Sequence, residues 1–141
     1  MILAHILFKT HFMEAKFNEA TNNRPEGDRI IDAPFVFTDI EKYHRQLLEE
    51  EAWQKNDRNG ITVFKTAGCT IVLTAFHAEA QVQENEVKGI TSIQLLQGKI
   101  SVSINGENVP LKAMELINIH AGVPHGINAE DDSLVLITTI L

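Results

Sequence analysis

From Ile61 to the end of the chain, short apolar-alternating runs follow one another, each closed by a turn signal, and none has the 3.6-residue period of a helix. Residues 61–66 are β-branched and alternating, and Ala67-Gly68 turns them into residues 70–76. Residues 91–96 stop at Gly98, after which Ile100, Val102 and Ile104 alternate with Ser101 and Ser103. Asn105-Gly106 is the strongest hairpin signal in the sequence, because both residues tolerate the positive φ that a type I′ turn demands. Val109 and Leu111 return from it, residues 115–119 form another run, and Asp131-Asp132 turns into the apolar strand 134–141. A parallel strand pair needs a crossover connection, and no helical pattern separates these runs. A parallel α/β sheet is therefore excluded, and the expectation is a mainly β sandwich or barrel.

What precedes this stretch is different. Residues 14–29 are polar and aperiodic, with Asn22-Asn23, Pro25 and Gly27 as turn residues, and the mixed charges from Arg24 to Arg29 read as a solvated loop. Pro34 separates two short extended pieces, Ile30-Ile31 and Phe35-Val36-Phe37, and keeps them out of a central strand. A helix is then expected over about 39–54: Thr38 and Glu41 make a capping box, and Ile40, Tyr43, Leu47 and Leu48 form an apolar stripe anchored by Trp53. Glu49-Glu50-Glu51 reads as the solvated face of that helix. The expected organisation is a single domain with an N-terminal, partly flexible arm over 1–29, a pre-barrel segment over 30–60 and a barrel over 61–141.

The apolar start MILAHILFKTHF has its lysine after the apolar run and no small-residue cleavage pattern, so it is a poor signal peptide, and it is too short to span a bilayer. It is expected to be a peripheral strand or an extension, with Met13 as an alternative initiator, and the protein is expected to be cytoplasmic with no membrane partner. A net charge of −7 without a basic cluster argues against nucleic acid as a partner. Cys69, the lone cysteine, excludes an intramolecular disulfide and a cysteine-rich zinc site; it reads as a packed thiol at a strand start. No phosphate-binding glycine loop, nucleophile elbow, H-E-x-x-H helix or internal repeat occurs.

Two segments carry a family resemblance. Leu96-Gln97-Gly98-Lys99 fits the end of the first motif of the cupins, and Ala121-Gly122-Val123-Pro124-His125 fits their second. The match covers roughly the last three-fifths of the chain, one domain by size, and is nearest to small single-domain, RmlC-like members. The resemblance implies a double-stranded β-helix, or jelly-roll barrel, with an N-terminal arm and one α-helix, and a homodimer in which the arm or an edge strand crosses to the partner. Cupins use the two motifs to set three histidines and a glutamate around a divalent metal. Carried over by position, those sites are Asn85, Val87, Thr91 and His125, and only His125 keeps a family ligand. His120 stands at the second motif's proline, and Met114 and Ala129 replace its glycine and asparagine. An isopropyl group cannot ligate, and an amide and a hydroxyl are weak neutral donors. No metal and no cofactor are therefore expected; were a divalent ion held, His125 with His120 would be the ligands, and His77 would face outward if Phe76 faces in.

His125 is then either a structural histidine bonded to a neighbouring carbonyl or the polar handle of an otherwise apolar pocket. The pocket expected is His125 with Asn85, Thr91, Ile93, Leu95, Val123 and Ile127. This favours a metal-free module that binds or senses a small-molecule ligand, with no catalytic residue assigned. The alternative is a cupin enzyme of isomerase or dioxygenase type, metal-dependent or using His125 as acid and base; a third reading is an assembly role after loss of an ancestral site.

Overall fold

The computed structural model describes residues 14–141, so the expectations for the apolar start lie outside the described residues. In chain order the elements are β1 (Lys16–Asn18), β2 (Arg29–Asp32), α1 (Ile40–Glu49), α2 (Glu51–Lys55), β3 (Arg58–Thr66), β4 (Cys69–Phe76), β5 (Gln81–Asn85), β6 (Ile90–Gln97), β7 (Lys99–Ile104), β8 (Glu107–Lys112), β9 (Leu116–Ile119), β10 (His125–Ala129) and β11 (Ser133–Ile140). β1, within the stretch that the sequence presented as a loop, pairs with β2, which contains the extended piece expected at Ile30-Ile31.

The barrel is one long hairpin wound up. Its tip is the turn at Asn105 and Gly106, whose φ values of 49° and 82° are those the dipeptide was expected to supply. From that tip the strands pair outward in antiparallel succession, β7 with β8, β6 with β9, β5 with β10 and β4 with β11. Successive pairs fall in alternate sheets, giving a four-stranded sheet β5-β10-β7-β8 and a five-stranded sheet β3-β4-β11-β6-β9. This nested order is the double-stranded β-helix: the mainly β barrel expected from the turn spacing forms, as the jelly roll that the resemblance implies. Gly98 turns β6 into β7 at φ 98°, and a Cβ there would run into the Asp132 carbonyl and the Ser133 side chain, so only glycine fits.

Strand alternation divides the apolar residues into two cores. Ile93 and Leu95 of β6, Ile100 and Val102 of β7, Ile127 of β10 and Val135 of β11 fill the space between the sheets. The opposite face of the five-stranded sheet sends Ile61, Val63, Leu73, Ala75 and Leu134 against Leu47 of α1, which is fully buried.

The helical segment departs from expectation in three ways. The cap is Asp39, whose carboxylate accepts from the Lys42 N–H at 3.1 Å, rather than Thr38. The segment is also two helices, not one, because Glu50 leaves the helical region at φ −75° and ψ 148°. That break turns Glu50 inward, and its side chain is only 7% exposed, so the acidic run is not uniformly a solvated face. Nor is Arg24 part of a solvated loop. Its Nε donates to Glu50 Oε1 and Oε2 at 3.1 and 3.0 Å, and its Nη2 to Asn59 Oδ1 and the Gly60 carbonyl at 3.2 and 2.8 Å. Asn59 and Gln46 donate to the same carboxylate at 3.0 and 3.2 Å. Burial by itself pushes the Glu50 carboxyl up, but the hydrogen bonds from Arg24, Asn59 and Gln46 and the Arg24 charge outweigh it and hold it below the usual range. This cluster ties arm, helix and β3 together.

Candidate functional site: the histidine end of the barrel

One end of the barrel gathers most of the residues that the sequence singled out. β9 finishes at Ile119, in register with Thr91 of β6; residues 120–124 then cross to β10, which opens at His125. The crossing is fastened by backbone bonds, Gly122 N–H to the Val87 carbonyl at 2.8 Å and Asn105 N–H to the Pro124 carbonyl at 3.3 Å. His125 is in register with Ile104 on one side and Asn85 on the other. Residues directly opposite in a sheet share a face, and Ile104 packs against the barrel core, so His125 is on the inner face.

The imidazole is half-buried, and its Nδ1 lies 3.0 Å from the Val123 carbonyl. A carbonyl only accepts, so Nδ1 carries the proton, and Nε2 of the neutral ring is left as an acceptor. Thr91 is buried, and its hydroxyl has no hydrogen-bond partner among the described residues. Register places Thr139 and then Thr70 beside Thr91 on the same face, so three hydroxyls cross this end of the five-stranded sheet. Ile93, Leu95 and Ile127 lie below in the barrel core, and Val123 packs against it. Asn85 is exposed at the rim.

His120 is exposed on the crossing segment. His77 is stacked on Trp53 with centroids 3.4 Å apart, and its Nε2 is 2.7 Å from the Trp53 carbonyl, on the helix side of the five-stranded sheet. Among the described residues no three His, Cys, Asp or Glu side chains come together to hold an ion. At the four carried-over positions the donors are an imidazole, an amide, a hydroxyl and no donor at all, a set that does not fit the divalent metal the motifs imply.

Neither a family model nor a curated protein matches the sequence. Solved structures do. A conserved protein of unknown function from Streptococcus pyogenes aligns over 87% of this chain and 95% of its own, with a TM-score of 0.62 at 16% identity. A cupin superfamily protein from Desulfitobacterium hafniense aligns over 61% and 79%, with a TM-score of 0.59 at 21% identity. The chain has the cupin fold. A mutant of salicylate 1,2-dioxygenase from Pseudoaminobacter salicylatoxidans shares it at a TM-score of 0.65 and 18% identity, over 73% of this chain but 34% of that enzyme. The same cupin barrel thus carries an enzyme in one neighbour and an unassigned role in another, so function has to be argued from the histidine end itself. No described helix is long and apolar enough to cross a membrane.

Sequence reasoning missed the Arg24–Glu50 cluster, and it assigned no role to a groove on the outer face of the five-stranded sheet, lined by Val63, Phe64, Ile71 and Leu136 among others. The available signal was the alternation in Phe35-Val36-Phe37, which puts both aromatic rings on one side of an extended segment.

Proposed function

We propose that the protein is a metal-independent module that binds or senses a small molecule at the histidine end of its cupin barrel. The observation that carries this reading is the Thr91 hydroxyl, buried on the inner face without a partner among the described residues, at the barrel end where His125 commits Nδ1 to the Val123 carbonyl. A buried hydroxyl left unpaired costs about 1–3 kcal/mol, and a ligand that supplies its partner recovers that energy. The side chains beneath, Ile93, Leu95 and Ile127, are aliphatic and buried, which favours a ligand that is small and largely apolar, with one or two polar groups to meet Thr91 and His125. With Nδ1 committed to Val123, Nε2 is the ring atom left to meet a polar group of that ligand.

The test is thermal stabilisation of the wild-type protein against a small-molecule library, repeated with His125→Ala and Thr91→Val. Binding to the native state raises stability by mass action. A compound that raises the melting temperature of the wild type, and loses most of that effect in both variants, supports the reading. Metal analysis of untagged protein is run beside it. Near-stoichiometric metal that disappears in His125→Ala would overturn the metal-independent reading in favour of a metal-dependent enzyme.

A further inference from the structure

Two asparagines of the chain precede a glycine, Asn59 and Asn105, and the fold treats them in opposite ways. Asparagine is a chemically labile residue, most of all before glycine, where no Cβ hinders the next backbone nitrogen from reaching the side-chain carbonyl carbon. Asn59 lies in β3 and is buried. Its Nδ2 donates to the Leu47 carbonyl and to Glu50 Oε1 at 2.9 and 3.0 Å, and its Oδ1 accepts from Arg24 Nη2 at 3.2 Å. The amide is thus held at both ends, and Gly60 is paired with Thr74 in the sheet. Asn105 and Gly106 are both exposed at the tip of the β7–β8 hairpin, and a Cβ on Gly106 would meet nothing within 4 Å. The Gly106 N–H faces the exposed Glu84 carboxylate at 3.4 Å, a long bond that holds it weakly.

We propose that Asn105 is a modification site, at which slow conversion of its amide to an isoaspartate linkage resets the crossing segment beside His125. The Gly106 nitrogen gives up its proton to hydroxide and forms a bond to the Asn105 side-chain carbonyl carbon. The bond from that carbon to the amide nitrogen breaks, and with a proton from water the nitrogen leaves as ammonia, closing a five-membered imide. Water then adds to a ring carbonyl; opening at the main-chain carbonyl gives isoaspartate, and opening at the side-chain carbonyl gives aspartate. One water is consumed and one ammonia released, and nothing is oxidised or reduced. The attack needs the tip to leave its turn geometry. An exposed two-residue tip opens locally at small cost, whereas Asn59 is freed only when the Arg24–Glu50 cluster comes apart. Isoaspartate carries the main chain through a side-chain carbon, so the tip gains a backbone atom, and a two-residue turn no longer closes Ile104 onto Glu107. The new carboxylate is also a like charge near Glu84 and Glu107. The displacement reaches the histidine end by a short route. Asn105 N–H donates to the Pro124 carbonyl at 3.3 Å, Ile104 is the register partner of His125, and the neighbouring Val123 carbonyl fixes the imidazole. The change is read on the imidazole itself, so the inference stands or falls apart from the ligand reading.

The test ages the full chain at neutral and mildly alkaline pH beside a synthetic peptide of residues 101–110. Peptide mapping by mass and isoaspartyl methyltransferase labelling follow each asparagine, and the ring-nitrogen NMR signals follow His125, assigned by their loss in His125→Ala. The expected result is conversion at Asn105 within about tenfold of the peptide's rate, faster at the higher pH, and at Asn59 at least about a hundredfold slower, the difference between opening a turn and opening a buried cluster. The His125 signal should shift in step with conversion. Asn105→Gln, whose longer side chain closes a ring far more slowly, should keep its His125 signal through the same incubation. An Asn105 that stays intact after the peptide has converted overturns the proposal, and so does conversion no faster than at Asn59. Conversion that leaves the His125 signal in place, or an equal drift of that signal in Asn105→Gln, overturns it as well.

Discussion

Inside the barrel, Leu95, Val102 and Val135 are closed off from water by other apolar side chains. At the junction of arm, helix and β3, the Glu50 side chain is almost as closed off, at 7% exposed, but by a guanidinium and two amides. Both regions lose stability when one member is lost, but for different physical reasons. An apolar core loses transfer energy and gains a cavity in proportion to the atoms removed. A buried ion pair that loses one partner leaves a charge with nothing to meet it, whereas losing both partners can be almost neutral.

The largest effect is expected in the barrel. Leu95→Ala should destabilise the protein by about 3–4 kcal/mol, within the range for fully buried leucines whose surroundings cannot collapse, as read by urea denaturation. A cost below about 1 kcal/mol would mean that the interior between the sheets repacks freely, and the contrast with the junction would lose one side.

The junction gives the sharper test. Arg24→Ala should cost about 3 kcal/mol, since it leaves the Glu50 carboxylate with only Asn59 and Gln46 as donors. Arg24→Met combined with Glu50→Met should recover most of that loss in the same denaturation experiment, because no orphaned charge remains. If the double variant is as unstable as the single, the cluster acts through geometry rather than charge. The pH dependence has a definite sign. Glu50 is held below its ordinary value of 4.5 in the folded chain, so its contribution is complete above that value and is lost as pH falls through the lower folded value. Melting temperature should therefore fall more steeply on acidification for the wild type than for Glu50→Gln.

The same contrast explains what could be read from the sequence. The barrel strands announce themselves locally: Ile100, Val102 and Ile104 alternate with serines, and Asn105-Gly106 marks the tip of the whole wound hairpin within two residues. The junction has no such period. Arg24 meets Glu50 across 26 positions and Gly60 across 36, and each looks like an ordinary surface charge in its own neighbourhood. The β1–β2 hairpin escaped notice for a related reason, since a three-residue strand is too short to show alternation. At the histidine end, the spacing of the motifs located His125 and Thr91. It could not reveal that Val123 fixes the imidazole tautomer or that the Thr91 hydroxyl is left unpaired, because both depend on how residues 120–124 cross between the sheets.

The smallest effect separates two neighbouring residues. Thr38 and Asp39 are both good N-cap types, and the Thr38-to-Glu41 spacing made threonine the natural choice. In the structure Thr38 lies on the near wall of the outer groove, while Asp39 has the extended φ and ψ of a cap and accepts from Lys42. Asp39→Ala should therefore cost about 1 kcal/mol, through the lost hydrogen bond and the lost negative charge at the positive end of α1. Thr38→Ala should cost only a few tenths, as for an ordinary partly exposed site. Paired urea melts resolve that difference. Equal costs, or a larger one at Thr38, would assign the cap to Thr38 and start α1 one residue earlier.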